Sequence, residues 1–165
     1  MLQTCPQANL MRPSTDFDFL MGIWRCRHRY LVKRLAGCHD WIEFDGTCAA
    51  RKILEGFGNL DEADIGLPGD RYRGMTLRTY DAYKQKWTIH WFDSRRPAHS
   101  FAPIVGRFAK GVGTFYGDEA HEGRPIRVRF LWSRITRESA RWEQAFSTDA
   151  GASWETNWVM DFTRV

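Results

Sequence analysis

The sequence predicts an all-β fold: a closed antiparallel up-and-down barrel of about ten strands with a short N-terminal helical plug. Three observations carry this. Alternating apolar and polar residues recur in short stretches from about residue 22 to the end, separated by Gly, Pro, Asp or Asn. Aromatic residues reach 15%, with 8 Trp, 11 Phe and 5 Tyr, more than a helical bundle packed on small residues needs. Most strands are consecutive hairpin neighbours, and an open sheet of that size would leave edges that closure removes. A sandwich is the rival, but it calls for long crossing connections, which are scarce.

The chain of 165 residues fits one domain. Residues 1–13 read as a flexible tail and residues 14–165 as a single barrel domain. Ser14-Thr15-Asp16 before Phe17, Phe19 and Leu20 reads as an N-cap and one apolar helical turn. Folding residues 22–34 onto 41–51 about Gly37 sets Trp24, Cys26, His28 and Tyr30 opposite Ala50, Cys48, Gly46 and Phe44. Both strands then agree on an inner face. The outer face pairs Arg29 with Asp45, Arg27 with Thr47 and Leu31 with Glu43.

A weaker strand is expected near residues 53–59. Residues 72–80 and 86–93 oppose Met75, Leu77 and Thr79 to Trp91, Ile89 and Trp87. Residues 104–109 and 112–117 form a hairpin around Lys110-Gly111, with Gly106 and Phe108 against Phe115 and Gly113; the opposite face, with Arg107, Thr114 and Tyr116 inside, stays open. Residues 125–134 send Ile126, Val128, Phe130 and Trp132 inward and Arg127 and Arg129 outward. Ser147-x-Asp149-x-Gly151-x-x-Trp154 matches the Asp-box turn, folding Trp142, Gln144 and Phe146 onto Thr156, Trp158, Met160 and Phe162.

Gly22-Ile23-Trp24, opening the first strand after a helical turn, resembles the G-x-W that closes one end of calycin barrels of the lipocalin and fatty-acid-binding-protein kind. The stretch from Phe17-Asp18-Phe19-Leu20-Met21 to Asp161-Phe162-Thr163-Arg164 resembles a bacterial calycin-like family of unknown function. Its features appear as Trp41-Ile42-Glu43-Phe44-Asp45-Gly46, Val105-Gly106-Arg107-Phe108, Gly113-Thr114-Phe115-Tyr116-Gly117-Asp118, Arg141-Trp142-Glu143-Gln144-Ala145-Phe146-Ser147 and Trp154-Glu155-Thr156-Asn157-Trp158. The resemblance supplies no activity. It implies that Arg164 packs across Trp24, a cation over an indole face.

His28 lies on the inferred inner face with no side chain opposite it at Gly46, which marks it as a candidate functional group or a satisfied core histidine. Tyr30 and Gln144 share inward sets with Trp91, Trp142 and Trp158. These six residues are the candidate ligand site for a small apolar or aromatic molecule, with no cofactor required. A barrel of about ten strands is wider than the size side chains just fill, which favours a cavity. The alternative is a small enzyme, an isomerase or cyclase, with His28 as acid/base and Tyr30 orienting it. A third reading is an interaction module, a filled barrel forming a homodimer through an outer face.

The other histidines offer less: His90 faces outward, and His39 and His121 sit in turns, which argues against haem. Asp61-Glu62 and Asp118-Glu119 read as solvated loop pairs. Residues 93–101 form a long connection that reads as a flexible solvated loop; the alternative is a lid over the barrel mouth, with Arg95, Arg96 and His99 steering an anionic ligand.

A net charge of +4 without a run of like charges argues against nucleic acid. Four cysteines at 5, 26, 38 and 48 have no zinc spacing, which argues against a metal. Without a signal peptide or an apolar stretch of membrane length, the expected location is cytoplasmic, with reduced thiols and no membrane partner.

Overall fold

The computed structural model describes residues 11–99 and 101–165. Of the expected tail, residues 1–10, with Cys5, lie outside the described residues. Ten strands follow one another: β1 (Gly22–Leu31), β2 (Trp41–Ile53), β3 (Gly58–Ile65), β4 (Tyr72–Asp81), β5 (Lys86–Asp93), β6 (Ile104–Ala109), β7 (Val112–His121), β8 (Arg124–Ser133), β9 (Ser139–Ser147) and β10 (Glu155–Arg164). Each pairs antiparallel with its sequence neighbours, and β1 also pairs with β10, so the sheet closes into an up-and-down barrel. Among the described residues no helix is long and apolar enough to cross a membrane.

Local chemistry explains the tight turns. Lys110-Gly111 and Glu122-Gly123 are two-residue loops with positive φ at both positions, the geometry whose twist matches adjoining strands. In the Asp-box, Asp149 accepts the Ser153 amide at 2.8 Å and Trp154 Nε1 donates to the Gly151 carbonyl at 3.0 Å. The β6–β7 hairpin has the expected partners, Gly106 with Phe115 and Phe108 with Gly113, and Phe115 is buried. That settles the open choice of face. On β8, Ile126, Val128 and Trp132 are buried on the inner face.

Other registers differ from the sequence reading. In the first hairpin Trp24 pairs with Cys48, Cys26 with Gly46, His28 with Phe44 and Tyr30 with Ile42. The turn centres one residue before Gly37, so every partner moves by two; a two-residue slip keeps the pleat, and the inner face is unchanged. Outside, Arg27 pairs with Asp45 and Arg29 with Glu43. In the β4–β5 hairpin Thr76 pairs with Trp91, Arg78 with Ile89 and Tyr80 with Trp87. This is a one-residue slip, so β4 turns Tyr72, Gly74, Thr76 and Arg78 inward instead of Met75, Leu77 and Thr79. The weak strand expected near residues 53–59 is displaced: a 3-10 turn at Leu54–Gly56 intervenes, and β3 carries Asp61-Glu62. Asp118-Glu119 likewise lies on β7. On β10 the register shifts between Thr156 and Trp158, leaving Asn157 as a bulge.

The helical plug reduces to one 3-10 turn, Asp18–Leu20, without a side-chain cap. Asp16 instead accepts the Trp87 Nε1–H at 3.1 Å. Phe17 meets Trp87 edge-on at 5.0 Å and Phe108 at 4.9 Å, closing that end of the barrel. Trp24 Nε1 donates to the Leu20 carbonyl at 2.7 Å. The Arg164 guanidinium lies 4.1 Å from the Trp24 ring centroid and donates to the carbonyls of Met21 at 2.8 Å, Phe19 at 2.6 Å and Arg137 at 2.8 Å. One side chain therefore ties the last strand, the first strand and the plug.

Arg164→Met should lower the unfolding free energy by about 2–3 kcal/mol, through the lost cation–indole contact and three carbonyls left without a donor. Arg164→Lys should recover less than half of that in urea denaturation, because an ammonium cannot span the same three acceptors.

Candidate functional site

The plug seals one end, and the connections after β1, β3, β5, β7 and β9 gather at the other. Between them lies a cavity of about 370 Å³. Trp91, Trp142 and Trp158, from β5, β9 and β10, form its wall, and Tyr30 and Gln144 also line it. Trp158 meets Trp142 edge-to-face at 5.5 Å and 86°, and Trp91 at 6.4 Å and 88°. Tyr30 meets it at 5.4 Å and 73°. Trp158 is thus the centre of the wall, and perpendicular packing favours each ring pair beyond simple burial.

Gly74 permits the pose of Trp91: a Cβ there would come within 2.0 Å of the indole Cη2. The face of β4 that the sequence reading turned outward is therefore the one this indole needs.

His28 stands in the barrel wall behind Trp158, and the residues lining the cavity do not include it. It is 1% exposed. Its Nδ1 accepts the Trp158 Nε1–H at 3.1 Å, and its ring stacks on Phe44 at 4.7 Å and 13°. Gly46 clears the space beyond: a Cβ there would stand 2.7 Å from His28 Nε2, although Gly46 pairs with Cys26 across the ladder. Burial lowers the His28 pKa from 6.5 to about 4, against a weaker opposing pull from Asp45. The neutral ring thus serves as an acceptor holding the indole of Trp158. Gln144 donates to Asn157 Oδ1 at 2.9 Å, tying the wall to the bulge.

The floor of the cavity holds a polar cluster around Asp61, a residue expected in a solvated loop, and Arg78, expected on the outer face of its strand. Asp61 and Arg78 are buried and paired at 2.5 Å, and Arg78 also donates to Asn59 at 3.0 Å. The Arg78 guanidinium lies 5.1 Å from the Phe17 ring centroid and 5.9 Å from that of Trp132. Desolvating two charges costs several kcal/mol, and the mutual hydrogen bonds offset it. Two buried thiols stand nearby, Cys26 and Cys48; burial raises both pKa values, which keeps them protonated and unreactive at neutral pH.

At the mouth Arg95 lies 3.5 Å from the Tyr72 ring centroid and is paired with Asp93 and Asp70. Arg96 lies over Phe101 at 5.7 Å. His121 ends β7 at the rim, 5.5 Å from Phe146. Among the described residues no three His, Cys, Asp or Glu side chains converge as a metal site. Of the expected mouth connection, Ser100 lies outside the described residues.

Because the unfolded chain accepts a proton at position 28 near pH 6.5 and the folded chain resists it until about 4, stability should fall as pH drops through that window. The slope approaches about 1.4 kcal/mol per pH unit. His28→Asn, whose Oδ1 can still accept from Trp158, should remove this component; urea midpoints between pH 6.5 and 5 measure it. Asp61→Ala should cost about 3–5 kcal/mol by stranding the Arg78 cation, whereas replacing both residues with apolar side chains of similar volume should cost less.

No protein-family model matches the chain, and no curated protein does. Among solved structures, that of the S-type phycobiliprotein lyase CPES from Guillardia theta is similar over 90% of each chain, with a TM-score of 0.56 and 11% sequence identity. At that identity the likeness is one of architecture, and it agrees with the strand order: the chain folds as a calycin-like barrel.

Proposed function

We propose that the protein binds a small, planar, largely apolar or aromatic molecule inside the barrel. The observation that carries this reading is the cavity of about 370 Å³ walled by three indoles. Its size falls within the range of small-molecule sites, and its lining combines broad aromatic faces with polar and charged groups at the floor and mouth. Trp91, Trp142 and Trp158 supply stacking surfaces, Tyr30 and Gln144 supply hydrogen bonds, and His28 acts from behind by fixing Trp158. The likeness of fold to a phycobiliprotein lyase is compatible with a barrel that encloses a small molecule.

The alternative, an isomerase or cyclase using His28 as acid/base, has less support. Its Nδ1 is committed to Trp158 and its Nε2 faces Gly46 within the wall, so neither nitrogen is presented to a molecule in the cavity.

Titration with N-phenyl-1-naphthylamine, a neutral three-ring aromatic probe, tests the binding reading. Tryptophan emission should be quenched with a 1:1 end point. Trp158→Ala should weaken binding by about tenfold or more, as expected for loss of a central aromatic contact. Unchanged emission at probe saturation would remove the proposed function.

A further inference from the structure

Among the charged side chains that line the cavity, one half-buried guanidinium lacks a carboxylate partner. Arg78 is held by Asp61 on the floor, and Arg95 by Asp93 and Asp70 at the mouth. Glu119 accepts the amide hydrogens of Ala102 at 2.9 Å and Ala120 at 3.1 Å. Arg34, in the connection between β1 and β2, also lines the cavity, yet its buried Nε and Nη2 have no hydrogen-bond partner. Its guanidinium lies 4.3 Å from the Tyr30 ring centroid and 5.4 Å from that of Phe146, so two aromatic rings hold it in place. Glu155 attracts it at longer range, but Glu155 Oε1 accepts the Leu35 amide at 2.8 Å and Glu155 forms no ion pair with Arg34. Arg95 repels it.

Withdrawing part of a cation from water without an anion beside it carries a cost that an incoming counter-charge would relieve. A guanidinium has only donors, so its natural complement is an oxyanion, above all a planar carboxylate. Tyr30 joins the two parts of the site, since its ring packs against both Arg34 and Trp158.

We infer that the ligand is an organic carboxylate whose rings lie among Trp91, Trp142 and Trp158 and whose carboxylate is held at the mouth by Arg34. This rests on the binding reading above and adds the chemical class of the ligand. Arg95 is a poorer anchor because two carboxylates already occupy it. Arg96, exposed on its connection, serves to attract the anion before it enters.

A matched pair of probes tests it: 2-naphthoate and 2-naphthamide share rings and differ in charge. By titration calorimetry at constant salt, wild-type protein should bind 2-naphthoate at least about tenfold more tightly, the scale of one hydrogen bond to a charged group. Arg34→Met, which keeps the stacked volume, and Arg34→Gln should each bring the two affinities to within about twofold, mainly by weakening the carboxylate. Arg34→Lys should keep part of the preference. Equal affinities in the wild type would overturn the inference while leaving the cavity reading intact, and this comparison needs no variant to fold. A preference that persists in Arg34→Met or Arg34→Gln would overturn the assignment to Arg34. Absence of heat from both probes, together with no quenching by N-phenyl-1-naphthylamine, would overturn both readings.

Discussion

Closure of β1 onto β10 is the constraint on which the rest of the structure depends. Seven residue pairs make that seam, from Trp24 with Arg164 at the plug end to Tyr30 with Trp158 toward the mouth. Because side chains alternate, fixing Arg164 over Trp24 also fixes which residues of both strands face inward. The seam therefore carries the structural clasp at one end and the core of the cavity wall at the other. A one-residue slip would turn one of the two strands over relative to the other, so Trp158 and His28 would no longer share the inner face, and clasp and cavity alike would be lost.

Inside that tube the side chains change character along the axis. At the plug, Phe17, Trp87 and Phe108 fill the space with rings, leaving no need for a long helix. Above them the Asp61–Arg78 pair provides a polar floor, then the three indoles form the wall, and arginines and carboxylates gather at the rim. Most of these polar groups are neutralised within the protein. Trp158 is held by three edge contacts and one hydrogen bond, so its face is presented with little freedom to reorient. Such preorganisation lowers the ordering cost of binding a flat molecule. His28 contributes as a neutral acceptor, a role that burial enforces.

The barrel was legible in the sequence because most strands alternate cleanly, and because a register error of two in the first hairpin leaves every side chain on its proper face. Five of the six candidate residues, Tyr30, Trp91, Trp142, Gln144 and Trp158, line the cavity for the same reason. What escaped was the polar interior. On β3 the inward residues include Asn59 and Asp61, and on β4 they include Thr76 and Arg78, so the usual code of apolar inside and polar outside is inverted there. The alternation test then placed Met75 and Leu77 inside and read Asp61-Glu62 as loop. A matching carboxylate and guanidinium at one-strand spacing was the available signal, but only the correct register shows that they meet. His28 was recognised as inward-facing; its position behind an indole depends on side-chain geometry that periodicity does not contain. Arg34 lies in the connection beyond the end of β1 at Leu31, not in the strand expected to run to residue 34, and its contacts come from the path of that connection.

The most direct measurement is a crystal structure of the protein soaked with 6-bromo-2-naphthoate, using the anomalous signal of bromine to locate the rings. A single strong peak is expected inside the barrel between Trp91, Trp142 and Trp158, with the carboxylate directed toward Arg34. Bromine found only on the outer surface, or a lumen closed by its own side chains, would contradict it.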